Sequence, residues 1–457
     1  MLICYTYQDY EEAADKGEFI RKSIQAYTSS GFYSDAVLGE KYFRGENPAI
    51  MSSVGNTLRL SGGKNLKMTQ PVTTNIFQRL VIQQNATLLS NGAQITADDK
   101  TDVKPMMGIG FDRALARLGE NALKHGVGYG FWDYDRIAVF TAKEFFTLDD
   151  ERSGAPVAGV RFWDRQRESG KTATFVEFYE SDGVTEYTIK DGVMSAPGEK
   201  KAYGLSVRPV TNDIEGVKSY HRLPVAQFWG NDDHTTELSF AIKSKIDFLD
   251  RVWTNFSDSA TRINLIYWII SQYSVTTEEA IQMIEQIYSL GVVANKDDFK
   301  AEPHSFELPS ESVDKAIEML EKAITADYMG VSLREVTGGS LTNVAINTAF
   351  NNLMNKVARY EWQPFRFIQD MMDIIGLPPT ENIQFKREVP RNMMEETNMI
   401  MGAASYLDEQ TVIEKLPFVT VDEIAVIIER KALERLGYSG EGNEPPSGGE
   451  VIEGGNT

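Results

Sequence analysis

Between Glu237 and Ile263 the apolar positions recur at steps of mostly three and four, so Leu238, Ile242, Leu249, Trp253, Phe256, Ala260 and Ile263 share one face of a helix. Lys243, Asp247, Asp250, Arg251 and Asp258 fall largely elsewhere. At 1.5 Å per residue this predicts a rod ~40 Å long. A second rod opens at Ser310 after Pro309, with Ser310 as N-cap and Glu311 in the first turn, where the helix dipole favours an acid. Its apolar face carries Val313, Ala316, Ile317, Leu320, Ala323, Ile324 and Tyr328, and the pattern stops near Gly330.

The residues between the rods read as strand, helix, strand. Leu265 to Ile270 is a short continuous apolar run. Thr276 followed by Glu279 has the capping-box spacing for a helix that Gly291 can close, and Val292 to Ala294 resumes extended structure. An insert of about 45 residues is small for a domain with its own core, so its apolar surface is expected to pack against copies of itself in neighbouring subunits.

After the second rod comes a segment from Val331 to Thr342 containing Gly338 and Gly339, and then a long helical pattern carrying Ile346, Phe350, Leu353, Val357 and Tyr360. Pro364 is expected to kink or interrupt that helix and Gly376 to end it. Two readings of the glycine segment stand side by side. One is an ordinary turn between helices whose glycines relieve strain; the other is an adaptable loop held between rigid rods.

Upstream, residues from about Tyr10 to Leu123 read as mainly helical. From Tyr129 to about Arg208 the pattern changes to short alternating strands at Ile137 to Phe140, Gly159 to Trp163, Thr174 to Tyr179 and Glu186 to Ile189. Ser181-Asp-Gly183 and Lys190-Asp-Gly192 supply turn chemistry, so an antiparallel meander fits best. The C-terminal part from Asn392 to Leu436 is helical again, with Met393, Met394, Met399 and Met401 as adaptable packing residues. From Gly437 onward glycine, glutamate, proline and serine dominate, the composition of a disordered acidic tail.

The charge balance excludes a conventional sequence-specific DNA binder. Lys plus Arg number 46 against 66 Asp plus Glu, a formal net charge of −20, whereas such proteins carry a basic footprint that neutralises phosphates. The balance suits either a soluble acidic protein of any kind or a surface that a polyanion passes without sticking. A single cysteine, Cys4, rules out an intrachain disulfide. The first residues lack the basic and apolar regions of a signal peptide, and no apolar run approaches the ~18 residues of a membrane span.

No catalytic, cofactor-binding or metal-binding residue is assigned. His125, His221, His234 and His304 are scattered, and Gly126 to Gly130 lacks the spacing of a nucleotide cradle. Asp133 with Asp135, and Asp149-Asp150-Glu151, read as solvated turn or strand-end charge. Phe131, Trp132, Tyr134, Phe162 and Trp163 could stack on bases, but their place in alternating strands makes them sheet core.

The order of these features resembles the portal proteins of tailed bacteriophages, specifically the SPP1-type portal family. The resemblance runs from about Phe19 to Arg435. It is carried by Leu223 to Asp232 leading into the first rod, by Lys41 to Gly45, and by the amphipathic helix from Asn75 to Gly92. Further along it is carried by Phe385 to Pro390, Met401-Gly402, and the turn from Leu416 to Glu423 before a final helix. Members often have Ser-Gly and a small apolar residue before the helix that follows the channel loop; this chain has Gly338 to Thr342 there instead.

The resemblance implies an α+β subunit with a helical stem, a small αβ clip, an antiparallel β-containing wing and an α-helical crown. Residues 1–234 would form the wing, 235–263 and 310–330 the stem helices, 264–309 the clip, 331–342 the channel loop and 343–391 a long kinked helix returning to the wing. Residues 392–436 would form the crown and 437–457 the tail. Leu333, Arg334, Glu335, Thr337, Gly338, Gly339 and Ser340 would face DNA. Tyr267, Trp268, Ile270, Val292 and Val293 would form the clip interface, and Trp253, Phe256, Ile317 and Leu320 the stem packing.

Implied partners are copies of the same chain in a ring of about twelve, or thirteen when isolated. Double-stranded DNA would pass without sequence specificity, and terminase, a head-completion adaptor, major capsid protein and scaffolding protein would dock, with no membrane involved. The implied place is the portal vertex of the virion, after assembly in the host bacterial cytoplasm. Two readings of other classes remain: a nucleic-acid-processing enzyme, which would need a phosphate loop or a carboxylate cluster, and a non-viral helical scaffold or adaptor.

Overall fold

The computed structural model describes residues 5–52, 57–59, 65–67, 71–166, 170, 172–207, 214–262, 267–270, 301–304, 310–332, 343–387, 392–419 and 421–435. It divides into two units, residues 1–335 with 350–388 and residues 336–349 with 389–457.

The first unit opens with α1 (Tyr7–Glu12), α2 (Lys16–Thr28), α3 (Gly31–Phe43) and α4 (Pro48–Met51). Each starts on a polar side chain that accepts a backbone N–H of the first turn: Thr6 from Asp9, Asp15 from Glu18, Ser30 from Tyr33 and Asn47 from Ala49. These caps satisfy donors that a helix end leaves free, and so set where each short helix begins. A hairpin of β1 (Thr57–Arg59) and β2 (Asn65–Lys67) follows, then α5 (Ile76–Leu89), β3 (Ala93–Ile95) and α6 (Phe111–His125). The stretch to Leu123 is mainly helical, as expected, with three strands of three residues added, too short to show an alternating pattern.

The strand region contains β4 (Val127–Asp133), β5 (Arg136–Thr141), β6 (Phe145–Asp149), β7 (Pro156–Gln166), β8 (Thr172–Tyr179), β9 (Val184–Lys190) and β10 (Val193–Met194). After them come a hairpin of β11 (Gly204–Val207) with β12 (Ile214–Lys218), and then β13 (Val225–Trp229). Strands β6 to β10 form the expected antiparallel meander in sequential order, while β13, β4 and β5 make a separate three-stranded sheet. Asp191 and Gly192 both have positive φ, 50° and 80°, so the β9–β10 hairpin uses the turn that Asp-Gly favours.

Helices α1 and α2 cover the meander, where Tyr10, Ile20, Ile24 and Tyr27 join Phe146, Leu148, Val160, Phe162 and Phe178 in one core. Tyr27 stacks on Phe146 at 4.5 Å, and its hydroxyl donates to the Ala142 carbonyl at 2.6 Å. The sheet-core reading of the aromatics holds for Trp132 and Phe162, which are buried; Phe131 and Trp163 are half-buried, and Tyr134 sits exposed in a turn. The glycine run has a packing reason. A Cβ on Gly128 would come within 2.8 Å of the Leu118 carbonyl, and one on Gly130 within 2.7 Å of the Phe367 ring.

Next come α7 (Phe240–Arg262), the antiparallel pair β14 (Tyr267–Ile270) and β15 (Ala301–His304), and α8 (Ser310–Tyr328). Helix α9 (Asn343–Tyr360), α10 (Trp362–Ile375) and β16 (Ile383–Phe385), which pairs with β3, follow. Both rods appear within a few residues of their predicted ends. The expected helix after Thr276 and strand at Val292 to Ala294 lie outside the described residues. The strand that pairs with β14 has Pro303 in its middle, which removes a donor and hides the strand from pattern reading.

The long helix breaks at Glu361, because Pro364 lacks the N–H that would bond the Tyr360 carbonyl. Gly376, at φ 83°, caps its second half.

In the second unit lie α11 (Met393–Ala403), a 3-10 turn (Ala404–Tyr406), α12 (Glu409–Lys415) and α13 (Val421–Arg435). Asn392 and Asp408 cap α11 and α12. Met393, Met394, Met399 and Met401 are exposed among the described residues. Among the described residues no helix is long and apolar enough to cross a membrane, and no group of His, Cys, Asp or Glu side chains is placed to hold a metal ion.

Candidate functional site: the paired rods and the root of the glycine segment

Helices α7 and α8 pack on each other through residues near one end. Leu238 just ahead of α7, Ile242, Ile246 and Leu249 of α7, and Ile317, Ile324 and Tyr328 of α8 are buried. Lys245 and Asp327 form an ion pair across the helices. Farther along, Trp253 and Phe256 are half-buried and meet edge to face at 6.3 Å, and Leu320 is half-buried as well. Phe240, Phe248 and Met319 are exposed at 83%, 54% and 72%. The rods therefore leave apolar surface uncovered in a lone subunit, on faces other than the one that binds them together.

The polar face of α7 is not merely solvated. Asp250 is fully buried; one carboxylate oxygen accepts from Asn47 Nδ2 at 2.8 Å, and the other accepts the Thr74 N–H at 2.9 Å and its hydroxyl at 2.8 Å. One turn on, the Thr254 hydroxyl accepts the Val72 N–H at 3.1 Å. Burial pushes the Asp250 carboxyl up, while the Asn47 and Thr74 bonds pull it down. A charge pattern alone could not distinguish this clamp from a wet surface, because its partners lie about two hundred residues upstream.

Three consecutive residues of α5 hold the far end of α8 and the helix after the glycine segment. Gln83 Oε1 accepts the Val331 N–H at 2.9 Å and its Nε2 donates to the Val331 carbonyl. Gln84 accepts the Tyr328 hydroxyl at 2.8 Å, and Asn85 accepts that of Tyr360 at 3.2 Å. Lys356 of α9 donates to the Tyr328 carbonyl at 2.9 Å, lies 3.4 Å from the centroid of the Tyr328 ring, and pairs with Glu237 at 2.6 Å. Burial pulls the Lys356 ammonium down, and Glu237 opposes this. The buried Tyr328 and Tyr360 hydroxyls are held well above their ordinary range by desolvation.

Helix α8 ends with Met329, not Gly330, in the left-handed region at φ 62°. Gly330 is needed for closeness instead, since a Cβ there would lie 2.5 Å from Leu80. The start of the 331–342 segment, and Tyr360 at the last residue of α9, are thus tied to α5. Leu333, Arg334, Glu335, Thr337, Gly338, Gly339 and Ser340 themselves lie outside the described residues, as do Val292 and Val293. Tyr267, Trp268 and Ile270 sit on β14, opposite His304, Pro303 and Ala301.

A second polar cluster lies under α3. His125 Nε2 and Glu40 Oε2 are 2.7 Å apart, and the Lys124 ammonium lies 3.2 Å from the same oxygen. Burial holds His125 well below its ordinary range, and the His125 bond holds Glu40 well below the carboxylate range. His125 is almost wholly enclosed and its Nδ1 has no partner.

Residues 32–435 match the family described as "Phage portal protein, SPP1 Gp6-like". None of the curated proteins matches the chain. It is also similar to a chain of the solved structure described as "Neck of empty GTA particle computed with C6 symmetry", at 12% sequence identity and a TM-score of 0.40, over 82% of this chain and 99% of that one. That likeness is too distant to bear on function.

Proposed function

Because the chain belongs to the SPP1 Gp6-like family of phage portal proteins, and so is a virion-associated portal of the capsid vertex, we propose that α7 and α8 form the stem of each subunit and residues 331–342 the channel loop. The observation that supports this reading most is that Val331, where that segment begins, and Tyr360, at the end of the helix after it, are both fastened to α5, while the rods keep exposed apolar faces for a neighbour. A conduit needs length, ring closure and a constriction with fixed ends, and it needs no catalytic group. Portal proteins are structural ring-formers; this chain, in our reading, hydrolyses no nucleotide itself and relies on a terminase motor.

In this assignment residues 264–309 form the clip, with Tyr267, Trp268, Ile270, Val292 and Val293 at the interface to terminase and later to a head-completion adaptor. The wing meets capsid and scaffolding protein, and residues 392–436 form the crown. Rings of about twelve copies close through a heterologous interface in which Trp253, Phe256, Ile317 and Leu320 stiffen the stem. The net charge of −20 per chain suits a channel that repels DNA enough to avoid trapping it. Assembly takes place in the host cytoplasm.

Electron microscopy of the purified protein tests the reading directly. Annular particles with a central hole are expected; dimers, trimers or filaments would instead indicate a helical scaffold. ATP hydrolysis that survives repurification without terminase would contradict the absence of a motor function.

A further inference from the structure

The cluster Asp149-Asp150-Glu151 reads in the sequence as solvated strand-end charge, and the structure splits it. Asp150 stays at the surface, where it accepts the Ser153 N–H and hydroxyl, each at 2.7 Å. Asp149 turns inward, and its Oδ1 is buried without a hydrogen-bond partner. It lines a cavity of about 150 Å³ beneath the N-terminal helices, together with Tyr5, Tyr27, Tyr129, Phe146 and Trp229. That volume holds several waters or a short alkyl chain.

We propose that this cavity binds an alkylammonium group, seated between the Asp149 carboxylate and the aromatic walls.

The case rests on what the cavity lacks as much as on what it has. Among the described residues, no lysine or arginine lines it, so none of them gives the carboxylate a counter-charge. Two polar groups nearby are committed elsewhere: the Tyr27 hydroxyl to the Ala142 carbonyl, and the Gln227 amide to the Thr147 hydroxyl at 2.9 Å. His234, which also lines the cavity, lies flat on Trp229 at 3.8 Å, and burial lowers its basicity. Burial likewise pushes the Asp149 carboxyl up, and the Thr147 hydroxyl only partly opposes this.

An unpaired carboxylate oxygen facing aromatic rings selects among ligands. An anion is repelled, and a neutral ligand without a donor leaves Oδ1 unpaired. A hard divalent cation wants six or more oxygens, and one carboxylate cannot supply them. An alkylammonium satisfies both halves of the site: its N–H groups make charge-assisted bonds to Oδ1, and its positive charge and methylenes lie against ring faces. Such a group can come from a free amine or from a lysine side chain of another protein.

The test is calorimetric titration of the full-length protein at neutral pH with n-butylamine, with n-butanol as the uncharged control, and with Nα-acetyl-lysine amide as the side-chain source. Butylamine is expected to bind and butanol not to. Asp149→Asn should weaken binding by about tenfold or more, and Tyr5→Ala, at an intermediate-exposure position outside the buried core, by severalfold with the melting temperature little changed. Binding of butylamine alone points to a free amine, binding of the lysine amide alone to a protein lysine, and binding of both to recognition of the ammonium head; each supports the site. No amine binding, equal binding of butanol, or titrations unchanged in Asp149→Asn and Tyr5→Ala overturn it.

Discussion

Gln83 treats Val331 as a strand would treat its partner: one side-chain amide both accepts the Val331 N–H, at 2.9 Å, and donates to the Val331 carbonyl, at 3.2 Å. Val331 is buried, so these backbone groups have no water to fall back on. The pairing fixes the last backbone position before the glycine segment. Gln83→Ala should destabilise the subunit by about 1–3 kcal/mol, speed amide exchange at Val331 and Ser332, and reduce packaged DNA per particle while rings still form. Unchanged exchange at Val331 would mean that the pairing does not hold the root.

The proposed channel loop makes a sharper demand. Gly338 and Gly339 permit backbone angles closed to other residues, so replacing both with proline should impair packaging with rings intact. Arg334→Glu should act more weakly, because one charge-assisted contact to phosphate is shared among many subunits and muted by neighbouring acids such as Glu335. DNA per particle is the measurement. Normal packaging by the double-proline ring would remove the segment from the channel.

Trp253 and Leu320 are half-buried in one subunit, which is the condition in which a neighbour can complete the burial. Trp253→Asp or Leu320→Asp places a charge there, at a cost of about 2–4 kcal/mol if the site becomes dry on assembly. Sizing chromatography should show loss of rings and retention of folded monomer. Rings of normal size from both variants would place these residues outside the contact.

Acid should weaken the fold through His125. Its pKa in the folded protein lies below the unfolded value of about 6.5, so the unfolded chain binds the extra proton and stability falls as pH drops through that value. Glu40 shifts downward, so its contribution is present above the unfolded carboxylate pKa and is lost only at more acidic pH, as the folded pKa is crossed. His234 is also held low by burial and adds in the direction of His125. Melting temperature should decline below about pH 6.5, and His125→Gln should lower the plateau while flattening the upper part of that decline. An unchanged slope in His125→Gln would assign the acid sensitivity elsewhere.

The rods and the meander were legible because a periodic apolar face survives in sequence whatever it packs against. Lys190-Asp-Gly192, Pro364 and Gly376 were legible for a similar reason: each imposes its backbone preference locally. What escaped was long-range and polar. Asp250 reads as one more charge on a wet face until Asn47 and Thr74 arrive from elsewhere in the chain.

Gln83, Gln84 and Asn85 were not singled out within the amphipathic helix, although Gln84 and Asn85 are buried and all three are hydrogen-bonded. Asp149 was misread because a run of three acids looks uniform, while the end of β6 sends the first inward and leaves the second out. Strand β15 was missed because Pro303 argues against it locally and only its pairing with β14 decides otherwise.

Those three adjacent side chains on α5 have a consequence for how such a chain can drift. Successive residues of a helix are turned by about 100°, so Gln83, Gln84 and Asn85 reach three different neighbours at once, and α5 works like an axle keyed on several sides. A single inserted or deleted residue upstream within α5 would rotate all the keys together and release Tyr328, Val331 and Tyr360 in one step. An insertion at the β9–β10 turn would lengthen a surface loop and leave those keys aligned. Length variation among chains of this architecture should therefore collect at such turns and spare α5, even where the amino acids along that helix change freely.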